Sequence, residues 1–402
     1  MYNEFFKKEL ETLKNEGRYR VFTDIERHVN TAPIATWHSS NGPKQVVVWC
    51  SNDYLGMSHN QEVIDAAKNA SDLYGAGSGG TRNISGTCHL HVELENKIAN
   101  LHEKESGLIF SSGYVANEAA LSTLGKAFPD MVLFCDEKNH ASMIQGVRHS
   151  GAPRHIFSHN NLDDLKTKLR EYDKNRPKII SFVSVYSMEG DFAPIEKICD
   201  LAEEYNALTY LDEVHAVGIY GKGGAGLANE MNQQHRIDVI QGNFAKAYGV
   251  IGGYITGSKP LVDYVRSFAS GFIFTTSLPP MVTKAALQSI EVLQKADDLR
   301  ETLKSRCTLL KNLLQKTNIN YRHTPSHIVP IIIGDAKKCK EFSDTLLNDY
   351  GIYVQPINYP TVARGKERIR LTVTPLHTEA MVRQLVDALD NLWNEFSLSK
   401  AA

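Results

Sequence analysis

An α/β fold with a mostly parallel sheet, followed by a smaller α+β domain, is the fold class that this 402-residue sequence predicts. Three observations carry the expectation. From about residue 105 to 258, apolar strand-like runs alternate with amphipathic helical stretches, the pattern of a sheet covered on both faces. From about 281 the rhythm changes to a long helical stretch, short strands and further helices. The composition, 42% hydrophobic and 22% charged, is that of an ordinary globular chain with a large core.

The elements follow in order. Residues 1–20 read as a helix, with Phe5, Phe6, Leu10 and Leu13 at helical spacing. "VVVWC" (46–50) is a short apolar strand. "GLIFSS" precedes a helix from Tyr114, and "MVLFCD" precedes a helix from His140. "KIISFVSVYS" leads to the helical "IEKICDLAEEYNA", and "LTYLDEVH" follows; "VIQGNF" and "GGYITGS" are further strands. Sheets of this kind gather ligands at the carboxyl ends of their strands. Beyond a helical stretch at 281–316 come "HIVPIIIG", a helix near 336–350, "IYVQPI", "RIRLTVTP" and a last helix at 377–396. The expected division is an N-terminal segment 1–45, a large domain 46–285 and a small C-terminal domain 286–402.

Bulk properties narrow the function. The formal net charge is −2 and no long basic block occurs, which argues against nucleic acid or an acidic membrane surface as main partner. No apolar run approaches the roughly 18–20 residues of a membrane span. The N-terminus mixes acids and bases, unlike a secretory signal or a transit peptide, so a cytoplasmic location is expected. Six cysteines are scattered without a CxxC pair; buried or idle thiols are expected, with no disulfide and no metal site.

Several stretches are candidates for chemistry. "GAGSGG" (75–80) and "GKGGAG" (221–226) fit a dinucleotide pattern, but the first follows a helix and the second precedes no long amphipathic helix. They read as loops where backbone comes close to something. In "HLHVE" (89–93) the two histidines, two apart on a helix, do not share a face and read as surface or capping residues. "YLDEVHAVG" puts Asp212 at the end of an apolar strand and His215 just beyond. The acid is either a strand-end cap or a buried charge with a partner, such as a protonated ring nitrogen. In "GNFAKAYGVIGGY", Lys246 is the one charged residue between Asp238 and Lys259. It is either a lysine snorkelling from a strand end or a nucleophile whose surroundings disfavour its charge. The turn in "SSGYVANEAAL" offers helix amides around Gly113 and Tyr114 to a phosphate. "NHASM" sets His140 where an imidazole would lie over an aromatic ring. Phosphate cradle, ring stacker, carboxylate and amine together suit pyridoxal 5′-phosphate.

The chain resembles the α-oxoamine synthases, enzymes of pyridoxal-phosphate fold type I that join an amino acid to an acyl-CoA. "SNDYLG", "GAGSGGTRNISGT", "FSSGYVAN", "DEKNHASMI", "SVYSMEGD", "DEVHAVGIYG", "AKAYGVIGGY" and "GFIFTTSLPP" stand in the family's order, and the resemblance runs from "EGRYR" to "RIRLTVTP". It implies a seven-stranded sheet in the large domain and a homodimer with active sites at the subunit interface. Lys246 is implied as the Schiff-base lysine and as the base toward glycine, and Asp212 as the partner of the pyridine nitrogen. His215 and Ser187 are implied near the phenolic oxygen, with His140 over the ring. Ser112, Gly113, Tyr114 and Asn243 are implied at the phosphate, with Thr275 and Thr276 reaching it in the neighbouring subunit. Asn243 stands where the family usually has a threonine or serine. Asn52 and Arg370 are implied at the glycine carboxylate. Arg20, Thr81, Asn83 and Thr361 match the branch that accepts a succinyl group, so glycine and succinyl-CoA are the expected substrates. Cys135, where relatives often carry serine, and Arg154 are implied near CoA. Relatives that take acetyl-CoA with glycine, or a pimeloyl thioester with alanine, are the alternatives. A catalytically dead binding protein of the same fold is a further one, against which the intact lysine, aspartate and histidine set argues.

Overall fold

The computed structural model describes residues 1–398. Its strands are β1 (Ile25–Arg27), β2 (Ile34–Ser39), β3 (Gly42–Val48), β4 (Ser106–Phe110), β5 (Val132–Asp136), β6 (Arg154–Phe157) and β7 (Lys178–Val183). They continue with β8 (Leu208–Asp212), β9 (Val239–Asn243), β10 (Gly253–Gly257), β11 (Ile328–Ile332), β12 (Ile352–Tyr353), β13 (Pro356–Ile357) and β14 (Arg368–Thr372). The chain divides into two compact units. One comprises Leu55–Tyr186 and Phe192–Asp297; the other comprises Met1–Tyr54, Ser187–Asp191 and the residues from Asp298 onward.

The first unit holds the expected seven-stranded sheet, in the order β4-β10-β9-β8-β7-β5-β6. Strands β9, β8, β7, β5 and β6 are parallel, and β10 runs antiparallel to both of its neighbours. Two reversals restore direction, so β4 points the same way as β9. The loops after β4, β5, β7, β8 and β9 therefore leave one edge of the sheet. Every residue of β5, β7 and β9 is buried. Each fully buried Val, Leu, Ile or Phe contributes roughly 1.5–3 kcal/mol, which explains the unbroken apolar runs in the sequence. The helix Gly113–Leu124 starts on Ser112, whose hydroxyl accepts from the Val115 N–H at 3.1 Å. The helix Ala141–Ser150 starts on His140.

Three details depart from the sequence reading. His89 is exposed, but His91 is fully buried. Its Nδ1 accepts from the Cys88 N–H at 3.1 Å and its Nε2 meets the Leu278 carbonyl at 2.8 Å. It caps its helix, as expected, but from inside the core. The stretch 281–316 is two helices, Pro280–Leu293 and Asp297–Leu314. Asp297 and Asp298 open the second, where acidic side chains favour a helix start. Residues 46–50 do not open the large unit. Strand β3 ends at Val48 and pairs in parallel with β12, Ile352 opposite Val47 and Tyr353 opposite Val48. Ala35, Val46, Val48, Leu347 and Tyr353 form one buried cluster, so the N-terminal residues fold with the C-terminal ones.

That second unit carries a sheet in the order β1-β2-β3-β12 and another in the order β11-β14-β13. Its helix Tyr2–Asn15 buries no residue. Among the described residues all six cysteines are free thiols, no cluster of His, Cys, Asp or Glu has the makings of a metal site, and no helix is long and apolar enough to cross a membrane.

Candidate active site

In the unit of residues 55–186 and 192–297, polar side chains collect where the strands end. Asp212, the last residue of β8, is buried. Its Oδ1 accepts from the Val214 N–H at 2.9 Å and its Oδ2 from Asn117 Nδ2 at 2.8 Å. Burial raises the pKa of this carboxyl; the Val214 N–H, the charge of His140, the Asn117 amide and the charge of Lys246 all work against that rise. Asn117 also donates to Ser142 Oγ at 3.1 Å and accepts from the Tyr210 hydroxyl at 2.9 Å. Ser142 in turn meets His140 Nδ1, its hydroxyl at 2.7 Å and its N–H at 3.3 Å. An Nδ1 that accepts both places the ring proton on Nε2. Burial lowers the His140 pKa against the opposing pull of Asp212, and the lowered value favours the neutral ring. Tyr114 meets it edge to face, 6.4 Å between centroids.

Lys246 lies in the turn after β9 and is half-buried. Its charge acts on both His140 and Asp212. The turn is held by Gly249 N–H on the Lys246 carbonyl at 2.9 Å and Phe244 N–H on the Gly252 carbonyl at 3.0 Å. Gly249 has φ +66°, and a Cβ there would stand 2.2 Å from the Ser58 nitrogen, so only glycine fits. His215, three residues after Asp212, is buried.

The start of the helix Gly113–Leu124 lies against the end of β9. A Cβ on Gly113 would sit 3.0 Å from Asn243 Cβ and 3.2 Å from its Nδ2. A Cβ on Gly253 would lie 2.5 Å from the Gly113 backbone. The first amides of this helix, at Gly113 and Tyr114, have no partner within it. Asn243 is buried, and its Oδ1 has no hydrogen-bond partner. A bare helix N-terminus, whose amides donate, is a place for a phosphate. With a buried carboxylate, a neutral imidazole and a lysine at the same sheet edge, the residues present fit pyridoxal phosphate.

The other expected residues of this unit take the following positions. Thr81 and Thr276 pair as an isolated β-bridge, and Thr275 Oγ1 donates to the Gly271 carbonyl at 2.7 Å. Asn83 is exposed in the short helical turn Arg82–Gly86. Cys135 is buried in β5 beside Ser181, and burial pushes its thiol up to about 11. Arg154 is exposed on the edge strand β6, opposite Leu133.

In the other unit, Arg370 of β14 is buried; its Nη2 donates to Asn52 Oδ1 at 2.7 Å and its Nη1 to the Ser187 carbonyl at 3.3 Å. The Tyr54 hydroxyl also donates to Asn52 Oδ1, at 3.2 Å. Arg20 is exposed, and its Nη2 donates to Thr361 Oγ1 at 3.3 Å. The structure thus pairs Asn52 with Arg370 and Arg20 with Thr361, each across more than 300 residues of sequence.

Sequence reasoning missed Asn117, Glu213 and Gln241. Asn117 had a signal: a lone amide in the apolar run "VANEAAL", where asparagine is a poor helix former. Glu213 is fully buried, accepts from the Leu227 and Ala228 N–H groups at 3.1 and 2.7 Å, and is pushed up to about 7 by burial. Gln241 Nε2 donates to the Gly242 carbonyl at 2.8 Å, which nothing in its sequence context announces.

Comparison with known proteins agrees with this geometry. The model of the aminotransferase class I and II family matches residues 44–389. The 5-aminolevulinate synthase of Rhizobium meliloti is 55% identical over 400 residues, covering 100% of this chain and 99% of its own. The 5-aminolevulinate synthase 1 of Cereibacter sphaeroides is 50% identical over 401 residues, covering 100% and 98%. Among solved structures, Sphingomonas wittichii serine palmitoyltransferase superposes with a TM-score of 0.90 at 26% identity, over 98% of each chain. A structure of SPT with PLP does so at 0.90 and 28%, over 98% of this chain and 97% of that one. The cofactor of this protein is pyridoxal phosphate. Fold, strand-end side chains and full-length likeness converge: the chain belongs to the aminotransferase class I and II family and, within it, to the 5-aminolevulinate synthases.

Proposed function

We infer that this protein joins glycine to succinyl-CoA, giving 5-aminolevulinate, CoA and carbon dioxide. The carrying observation is a pair of separately held guanidiniums, Arg370 buried on Asn52 and Arg20 exposed on Thr361. The two substrates bring two carboxylates that must be told apart. A planar guanidinium matches each by bidentate hydrogen bonding.

Bound pyridoxal phosphate supplies the electron sink for the charge that develops on the glycine α-carbon. The residues of the chain do the rest. Arg370 and Asn52 hold the glycine carboxylate. Lys246 Nζ takes the α-proton and returns a proton to the product. Asp212, fixed by Asn117 and the Val214 N–H, would accept from the ring nitrogen of the bound cofactor and keep it protonated. His140 would cover the ring, and His215 and Ser187 would lie toward its phenolic oxygen. Ser112, Gly113, Tyr114 and Asn243 hold the phosphate. Arg20 and Thr361, with Thr81 and Asn83, receive the succinyl tail, and Arg154 and Cys135 lie toward CoA. We further infer a homodimer in which Thr275 and Thr276 serve the neighbouring site. Support comes from Ile84 and Phe274, 84% and 80% exposed near the Thr81–Thr276 bridge, an apolar pair that a partner would cover.

The test is turnover by the holoenzyme with glycine and a panel of acyl-CoA thioesters, following CoA release and aminolevulinate. Succinyl-CoA is the expected acyl donor. Turnover with acetyl-CoA and none with succinyl-CoA would refute the reading.

A further inference from the structure

The five residues Ser187–Asp191 come from the middle of the chain but pack in the unit of residues 1–54 and 298–398. They lie against β14 and its neighbours, and three of their five carbonyls accept side-chain hydrogen bonds. Arg370 Nη1 donates to Ser187 O at 3.3 Å, Arg368 Nη1 to Met188 O at 2.7 Å, and Ser326 Oγ to Gly190 O at 2.6 Å. Gly190 has φ +73°, and a Cβ there would stand 2.8 Å from the Ile328 carbonyl, so the segment lies flat on β11. At its centre is Glu189. Its Oε2 accepts from Arg368 Nη1 at 3.0 Å and also from Arg322 Nη1, while Arg322 Nη2 reaches Asp191 at 3.3 Å. The side chains of Arg368 and Glu189 are 4% and 8% exposed.

Arg368 and Arg370 are two apart on β14, so they project from the same face. Two buried guanidiniums side by side repel one another unless an anion sits with them. Glu189 is that anion, and it is bonded to Arg368 rather than to Arg370. Among the described residues the hydrogen bonds of Arg370 go to neutral partners, Asn52 and the Ser187 carbonyl, which leaves its charge available to a carboxylate.

We propose that Glu189 is a positioning residue for glycine binding: it neutralises Arg368 and pins the Ser187–Asp191 segment, so that Arg370 is held by the Ser187 carbonyl with its charge unspent. The proposal rests on Arg370 as the glycine-carboxylate residue.

The experiment measures the dissociation constant of glycine from the holoenzyme by its change in cofactor absorbance, together with kcat, both KM values and the thermal midpoint. Glu189→Gln is expected to raise the glycine Kd and KM roughly tenfold, with kcat and the succinyl-CoA KM within about twofold. Glu189→Asp, which keeps the charge, is expected to recover most of the loss. Should Glu189→Gln fail to fold, Arg322→Gln is the substitute. Arg322 is half-exposed, and its removal loosens the segment without stranding a buried charge, with an expected rise in glycine Kd of roughly threefold. A lower thermal midpoint with an unchanged glycine Kd would overturn the proposal, as would equal losses for both substrates. Arg370→Gln is the control. If it too leaves the glycine Kd unchanged, the assignment of Arg370 has failed; if it weakens glycine while Glu189→Gln does not, only the role of Glu189 has.

Discussion

Asn117 ties three strand-end groups together, and its replacement by leucine, which keeps most of the volume, isolates that tie. Asn117→Leu removes a hydrogen bond to a carboxylate at 2.8 Å and neutral ones to Ser142 and Tyr210 at 3.1 and 2.9 Å. A hydrogen bond to a charged group is worth roughly 1.5–3 kcal/mol, and a buried group left without its partner costs about 1–3 kcal/mol. Ser142 keeps His140, and Asp212 keeps the Val214 N–H. Tyr210, fully buried, keeps nothing in place of its acceptor. The net expectation is a loss of about 4 kcal/mol in unfolding free energy. The loss also depends on pH, with a definite sign. Burial raises the folded-state pKa of Asp212, so its unfavourable contribution is absent at low pH and develops as pH rises through that raised value. Asn117 is one of the groups that hold the rise in check. Without it the penalty at neutral pH grows, and protonation relieves it. Urea unfolding of the cofactor-free variant and its parent, at neutral pH and at successively more acid pH, is the assay. The deficit of the variant is expected to shrink toward acid. A deficit below about 1 kcal/mol, or one that is flat with pH, would refute the reasoning.

Three further outcomes are expected. Glu213 has its pKa raised by burial from 4.5 to about 7, so the folded chain loses stability as pH climbs through that window, by about 3 kcal/mol in all; Glu213→Gln should flatten that part of the stability–pH curve, and an unchanged slope would show the group ionises freely. Gly113→Ala puts a methyl 3.0 Å from Asn243 Cβ and should weaken pyridoxal-phosphate affinity roughly tenfold, read by equilibrium dialysis, with the thermal midpoint of the cofactor-free protein little changed. Arg20→Ala should raise the succinyl-CoA KM roughly tenfold and leave the glycine KM within about twofold, because this exposed guanidinium bonds to Thr361 and not to the Asn52–Arg370 pair.

What was legible in the sequence was what is written locally. Buried parallel strands appear as apolar runs, so β5, β7, β8 and β9 were visible, and Asp212 stood out as an acid closing one of them. Lys246 stood out by the absence of other charges around it. Pairings over long separations were not legible. Nothing in "VVVWC" says that it pairs with "IY" some 300 residues later, which is why the N-terminal boundary was misplaced. The bond of Arg370 to Asn52 spans 318 residues, and only the family resemblance linked the two. Glu189 was invisible for another reason. In "SMEGD" it reads as a turn acid, and its meaning depends on two arginines from β14 and the loop before β11.

The pairing of β3 with β12 has a consequence for the order in which the protein is made. At the usual 5–20 residues per second of synthesis, β3 emerges on the order of tens of seconds before its partner strand exists. During that interval the hairpin of β2 and β3 presents an open, apolar edge, the kind of edge that nucleates aggregation. The stretch from Leu55 to Asp297, which holds Asp212, His140 and Lys246, is complete well before the arrival of β12 and β14. The nascent chain thus has these three residues in hand while Asn52 still waits for Arg370. For that period, what shields the early strand edge is whatever the cell supplies, and yield in an expression host should respond to chaperone capacity more than to the stability of the finished fold.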